Sequence, residues 1–285
     1  MKRALVLAAV ALLAAAPAFA APMKSWTNGD KTSVFQVGLL KLTFWQARDD
    51  DGAAVAALQV ASAGTRPISM VGQAGLDPAR ASWAVTKLDP ANATPQVIFS
   101  SFSGGAHCCT RIYVAERLQS GWTAFDLGLW NGDGLANVPV DVDGDKIPDI
   151  VLSDDRFLYT FDSYAASWSP PIVINVVGGK VDDVSKQPRY KKLYASEMDR
   201  AKAQCATHAN GACAGYAANA ARIGRFDEAW KFVLANYDRT AKWDYPGRCR
   251  GQTVNSDCKG EKIKPKDFPE SLRWFLEDNG YIARR

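Results

Sequence analysis

Several residue patterns on which common chemistries depend are scarce or missing in this 285-residue chain. It has two histidines, His107 and His208, which excludes a site built from three imidazoles. There is no Gly-x-Ser-x-Gly elbow, no His-Glu-x-x-His pair and no phosphate-cradling glycine loop. The usual signatures of serine hydrolases, zinc proteases and nucleotide-binding enzymes are therefore absent. No Cys-x-x-Cys lies on a thioredoxin-like βαβ pattern, which weakens an oxidoreductase reading. Charge of one sign is not in large excess: 34 Lys and Arg face 30 Asp and Glu, a formal +4 that becomes +2 without Lys2 and Arg3. With no basic run interleaved with aromatics, no nucleic-acid partner is expected. After residue 20 no segment is long and apolar enough to span a bilayer, so no transmembrane segment is expected in the mature chain.

What is present begins at the amino terminus. Lys2 and Arg3, an Ala/Leu/Val run, Pro17 and Ala18-Phe19-Ala20 follow in the order of a cleavable secretory signal over 1–20. The remainder is expected to be a periplasmic or secreted protein, with no cysteine at the cleavage site to carry a lipid. Six cysteines in an exported chain point to disulfides. Spacing favours Cys205 with Cys213, Cys249 with Cys258, and Cys108 with Cys109. Each of the first two closes a loop of roughly ten residues and adds at most ~2.5 kcal/mol in the chain-entropy picture.

Residues 21–185 read as a β-rich domain. Segments such as "SVFQVGLLKLTFW", "AAVAALQVAS", "SWAVTKL", "PQVIFSSF", "TRIYVAERL", "WTAFDLGLW", "DIVLS", "FLYTFDSY" and "PIVINVV" are separated by Gly, Pro, Asn, Asp and Ser clusters. The pattern changes over 186–285, where Ala, Glu, Lys and Leu recur at helical spacing. Lys186 to Lys192 is the candidate linker. Ser196 is a candidate cap, Gly224 a helix stop, and a last helix is expected over "PESLRWFLEDNG" with Pro269 in its first turn. The expected fold is α+β in two segments: an antiparallel all-β domain, propeller-like or sandwich, then a smaller disulfide-stapled α-helical domain.

The most specific motif is "DVDGDKIPDIVLS". Asp141, Asp143, Asp145 and Asp149 occupy relative positions 1, 3, 5 and 9, and Ile147 at position 7 offers a backbone carbonyl. Hard oxygen ligands at that spacing suit Ca²⁺. An acidic turn without metal is the alternative, although four carboxylates in nine residues repel one another without a cation. It is not an EF-hand, because Gly144 sits at position 4 and Leu152 stands at position 12. The stretch resembles the FG-GAP or VCBS type of calcium loop of integrin-α-like β-propeller blades, over about 110–164. Asp141, Asp143, Gly144, Asp145 and Asp149 match that pattern, while Lys146 replaces its second glycine. The resemblance implies a propeller-like blade holding Ca²⁺. No second clear copy of the loop occurs, so a truncated or divergent β-array is favoured over a full propeller. A weaker likeness, to a single tetratricopeptide hairpin, covers 213–237 on Gly224, Phe226 and Ala229. It is read as a helical pair docking inward through Phe226, Trp230 and Val233.

"SGGAHCCT" leaves three readings open. Cys108 and Cys109 form a vicinal disulfide, giving a rigid apolar knuckle; or each pairs with a distant cysteine; or His107, Cys108 and Cys109 form a thiol or soft-metal site. In an extended strand His107 and Cys109 share a face. Asp154, Asp155 and Asp162 are read as solvated turn carboxylates. The function expected from the whole is a non-catalytic binding or structural module of the cell envelope, with an envelope protein, glycan or peptide as partner. The alternatives are an exported thiol- or metal-handling protein or enzyme centred on His107-Cys108-Cys109, and an inhibitor or accessory factor of an envelope enzyme.

Overall fold

The computed structural model describes residues 21–27, 31–132, 134–250, 258 and 260–284. The expected signal over 1–20 lies outside them. The first apolar run is a hairpin of two strands, β2 (Ser33–Val37) and β3 (Leu40–Arg48), because the chain turns at Gly38 with φ +56°. With β4 (Ala54–Ser62) and β5 (Ile68–Val71) they form a four-stranded meander. A second meander runs through β6 (Arg80–Thr86), β7 (Gln96–Phe102), β8 (Cys108–Leu118) and β9 (Gly121–Asn131), with β1 (Lys24–Trp26) added beside β6. The third sheet has three strands, β10 (Ile150–Ser153), β11 (Pro171–Val177) and β12 (Lys180–Asp183). All pairings within these sheets are antiparallel.

The three sheets stack face on face, as the two-residue period of their side chains dictates. In the middle sheet Val97 and Phe99 enter one core with Leu42, Phe44 and Leu58 of the first sheet. Ile98, Ile112 and Val114 enter another core with Ile150, Leu152, Ile174 and Val176 of the third. A sheet covered on both faces needs consecutive rather than alternating burial, and β7 is buried without a break from Gln96 to Ser101. Behind the third sheet lies the helical layer, where Val173 packs with Val184, Tyr190 and Tyr194.

That layer contains α1 (Lys191–Cys205), α2 (Asn210–Arg222), α3 (Phe226–Asn236) and α4 (Phe268–Asp278). Helix α2 is buried on nearly all sides, and its Ala and Gly residues admit close neighbours. A Cβ on Gly215 would lie 2.6 Å from the Trp168 carbonyl oxygen. Cys205 is bonded to Cys213, joining α1 to α2, and Cys249 is bonded to Cys258 beside a two-residue ladder, Arg248–Cys249 with Lys262–Ile263. The fold is therefore α+β, with antiparallel sheets first and a disulfide-stapled helical part after them.

Four details differ from the sequence expectations. "FLYTFDSY" is not a strand; it lies between 3-10 turns at Asp155–Phe157 and Tyr164–Ala166, and Phe157 and Phe161 pack edge-on against Phe275 and Phe268 of α4. Ser196 lies inside α1, whose start is set by a 3-10 turn at Pro188–Tyr190. The stretch from Lys186 to Lys192 is no loose linker, since Tyr190 is 1% exposed in the core against the third sheet. The helical run after Ser196 breaks at His208, which has φ +66° and pairs Nδ1 with the Asn236 carbonyl oxygen at 2.7 Å. On α3, Val233 is buried, while Phe226 and Trp230 are half-buried and stacked on each other at 5.3 Å.

Candidate functional site

The acidic loop is a hairpin closed by a bridge between Val140 and Asp149. Its carboxylates first hold the turn itself. Asp141 accepts from the Gly144 N–H at 2.7 Å and the Lys146 N–H at 2.8 Å, Asp143 from the Asp145 N–H at 3.0 Å, and Asp149 from the Val142 N–H at 2.9 Å. Ile147 donates its N–H to Asp145 at 2.8 Å. Lys146 has φ +74°, the left-handed backbone that glycine adopts most readily. One carboxylate oxygen from each of Asp141, Asp143 and Asp149 lies within 4.8 Å of the others. Asp145 is not part of that trio.

A cation from elsewhere in the chain reaches this loop. Arg189 places Nε 2.6 Å from Asp143 Oδ2, pairs its guanidinium with Asp145, and donates to Asn175 Oδ1 at 3.3 Å. The Asp143 side chain is 1% exposed and that of Arg189 34%. Asp149 Oδ1 accepts from the Tyr190 hydroxyl at 2.6 Å and from Asn175 Nδ2 at 2.8 Å. Burial, followed by the bond to Asp149, pushes the Tyr190 hydroxyl well up, so it stays a neutral donor. Burial pushes Asp143 up against the opposing Asp145 N–H and the Arg189 charge. For Asp141, burial also works upward, but the Lys146 and Gly144 N–H groups outweigh it and its pKa is lowered. The trio is a set of hard oxygen donors, and Arg189 already compensates part of its charge.

Cys108 and Cys109 are bonded to each other. Neither sulfur is then a thiolate available to a metal or a substrate. Ser103 braces the pair: its Oγ accepts from the Cys109 N–H at 2.7 Å and donates to the Cys108 carbonyl oxygen at 2.8 Å. The extended geometry expected for His107 does not hold, because β8 begins only at Cys108. The His107 ring instead stacks on Tyr164 at 4.0 Å, with Tyr159 edge-on at 5.8 Å.

Next to this aromatic group a cleft of about 330 Å³ opens between the β9–β10 edge and α1. Its lining is mixed, with Asn131, Asp155 and Arg200 beside the apolar Val151, Pro171 and Leu193, and it adjoins a second cleft lined in part by Tyr164 and Trp168. Asp155 Oδ2 accepts from the Asn131 N–H at 2.6 Å. Burial raises the Asp155 pKa against that hydrogen bond. Glu197 and Arg200 form an ion pair at 2.6 Å, and the Arg200 guanidinium lies over the Trp168 ring.

Sequence reading missed these groups for identifiable reasons. Arg189 stood in an apparent linker, and no spacing rule ties it to an aspartate 44 residues away. Leu193, Glu197 and Arg200 of α1 follow i, i+4, i+7 spacing, but the helix was expected only from Ser196, so this face went unread, and the groove it overlooks has no local signature. Asp154 is not a solvated turn carboxylate: it is 1% exposed, paired with Arg156 and bonded to the Tyr281 hydroxyl at 2.7 Å. Among the described residues, no helix is long and apolar enough to cross a membrane.

Comparison with known proteins matches the helical part to a family described as the sll0997 C-terminal domain, over residues 189–280. The match begins at Arg189 and runs through α1, α2, α3 and α4. A curated relative, "Probable thylakoid lumen protein sll0997" of Synechocystis sp., is 35% identical over 209 residues, covering 70% of this chain and 60% of its own length. A second, "Uncharacterized protein y4bJ" of Sinorhizobium fredii, is 33% identical over 201 residues, covering 69% of this chain and 31% of its own length. The chain thus spans less than two thirds of either relative. No solved structure matches it.

Proposed function

We propose that this chain is an exported, non-catalytic binding or structural module of the cell envelope whose acidic loop takes up Ca²⁺. The observation that carries the metal reading is the convergence of Asp141, Asp143 and Asp149 within 4.8 Å at the seam between the third sheet and the helices. The likeness of "DVDGDKIPD" to FG-GAP and VCBS loops and the left-handed backbone at Lys146 support it. Asp141, Asp143 and Asp149 would hold the ion, which would add to the single positive charge that Arg189 brings to the four loop carboxylates. Export is supported by the signal-like order of residues 1–20, by the cysteine pairs and by the lumenal name of the Synechocystis relative. The bonded Cys108–Cys109 pair favours a braced surface feature over the thiol-active alternative.

Thermal unfolding with chelator and with increasing Ca²⁺ tests the metal reading. The expected result is a Tm that rises with Ca²⁺ by mass action, less with Mg²⁺, and not at all in Asp141→Asn. A Tm indifferent to Ca²⁺ in the native chain overturns it.

A further inference from the structure

We propose that a cleft between the β4–β5 turn and the β8–β9 turn binds a small organic anion through its carboxylate or phosphate groups, with Arg66 and Arg117 as the recognising side chains. The inference rests on the binding-module reading and assigns it a site and a ligand class; it does not require Ca²⁺.

The cleft joins two sheets. Arg66 belongs to the turn between β4 and β5 of the first sheet, and Arg117 lies near the end of β8 in the middle sheet. The two-residue period of β8 puts Arg117 on the face of Tyr113 and Ala115, which pack in the core shared with the first sheet. Glu116 faces the other way, and its carboxylate is already occupied by Asn92, Gln96 and the Gly179 N–H. The walls are tied to each other: Trp122 Nε1 donates to Ser62 Oγ at 3.0 Å across the two sheets. Asn92 Nδ2 holds the Arg117 carbonyl oxygen at 2.9 Å. Walls fixed before binding lower the entropy lost when a ligand is ordered.

Charge selects the ligand. Arg66, Arg80 and Arg117 are the described arginines that have no ion pair, side-chain hydrogen bond or ring contact among the described residues, and two of these three line this one cleft. No aspartate or glutamate lines it. Two like charges in one cleft repel, and an anion between them relieves that repulsion. A guanidinium offers five N–H donors and no acceptor, so its match is a group that only accepts, above all a carboxylate or phosphate in bidentate contact. A cationic ligand is repelled, and a neutral one leaves both charges uncompensated. The volume of about 490 Å³ is that of a small-molecule site and exceeds what a simple inorganic anion fills. Pro67, Ile68 and Leu118 in the lining give a carbon skeleton apolar contact.

The test is calorimetry of the full mature chain with three probes: fructose 1,6-bisphosphate, citrate and, as the neutral control, fructose. Titrations use metal-depleted buffer, because both anions also chelate Ca²⁺. Variants are Arg66→Gln, Arg117→Gln, the two together, and Arg80→Gln as a control that removes an unpaired arginine outside the cleft. The expected result is a Kd below about 1 mM for at least one anion, at least about tenfold tighter than for fructose and weakening as NaCl is raised. Which anion binds decides between phosphate and carboxylate. Each single cleft variant should weaken binding about fivefold or more, the double variant should abolish it, and Arg80→Gln should leave it unchanged. Circular dichroism confirms that the variants fold. Binding of neither anion, equal binding of fructose, binding retained by the double variant, or an equal loss in Arg80→Gln overturns the proposal. The Ca²⁺-dependent Tm is read on a separate portion without the probes. Absent anion binding with a retained Ca²⁺ response removes only this cleft, and the reverse upholds the cleft and removes only the metal.

Discussion

Replacing Arg189 by methionine tests the electrostatics of the seam directly. The substitution keeps most of the side-chain length and removes the guanidinium that faces Asp143 at 2.6 Å, Asp145 and Asn175. Breaking a fully buried pair by removing one partner costs about 3–5 kcal/mol. An exposed pair contributes about 0–1 kcal/mol. Here the Asp143 side chain is 1% exposed but the arginine is 34% exposed, which places the cost between these limits, at about 2–3 kcal/mol in the presence of chelator. For a chain of this size that is a fall in Tm of roughly 5–10 °C. Saturating Ca²⁺ should recover most of it, because a divalent ion supplies the charge the methionine lacks. The variant should also bind Ca²⁺ more tightly than the native chain, having lost the internal competitor. Thermal unfolding by circular dichroism and Ca²⁺ calorimetry on both chains measure these effects. An equal deficit with and without Ca²⁺, or weaker Ca²⁺ binding by the variant, refutes the reasoning.

Asp155→Asn should stabilise the chain near neutral pH. Burial raises the Asp155 pKa above its ordinary value, so its contribution favours folding while protonated and is lost as pH rises through the folded-state pKa. Denaturant unfolding at several pH values should show a smaller decline toward neutrality in the variant. Glu116→Ala should cost about 3 kcal/mol or more, because this fully buried carboxylate accepts from Asn92 Nδ2, Gln96 Nε2 and the Gly179 N–H, tying the β11–β12 turn to the middle sheet. Urea unfolding reads that loss, and Glu116→Gln should lose less. Gly215→Ala should destabilise by about 1–3 kcal/mol despite the better helix propensity of alanine, since its Cβ would meet Trp168 at 2.6 Å. A neutral or stabilising result by thermal unfolding would show that α2 and Trp168 can separate freely.

The strands were legible wherever burial and turn chemistry agree. "PQVIFSSF" and "PIVINVV" carry enough β-branched and aromatic residues between breakers to be read directly, and both are strands. "FLYTFDSY" has the same composition but serves a different layer: Phe157 and Phe161 anchor helix α4, and composition does not say which layer an aromatic side chain enters. Gly224 and Pro269 marked helix ends because their backbone preferences are local. Ser196 misled because a capping residue type also occurs inside helices, and the true start lies at a buried tyrosine. In the candidate sites, the aspartates of the acidic loop share nine residues and were visible. Arg189 and the cleft arise from elements far apart in sequence, which periodicity cannot join.

The loop and the cleft stand at the two ends of one strand, with α1 alongside. Asp149 immediately precedes β10, and Asp155 follows two residues after its last one. Arg189 precedes α1, which then carries Leu193, Glu197 and Arg200 over the cleft. Exchange of Arg189 for Ca²⁺ in the loop would move the cleft wall only if α1 were free to shift. It is not free: Tyr190 and Tyr194 are each 1% exposed, packed with Val173 and Val184, and the far end of the helix is bonded through Cys205 to Cys213. A helix fixed at both ends transmits charge through space but little displacement, and the exposed part of that field is screened over about 10 Å at moderate salt. The amide chemical shifts of residues 193–200 in α1 are therefore expected to stay in place between chelator and saturating Ca²⁺. Amide NMR spectra in both conditions measure this. Shifts that move along the helix would mean that α1 has a second position, and that the tyrosine pins are weaker than their burial implies.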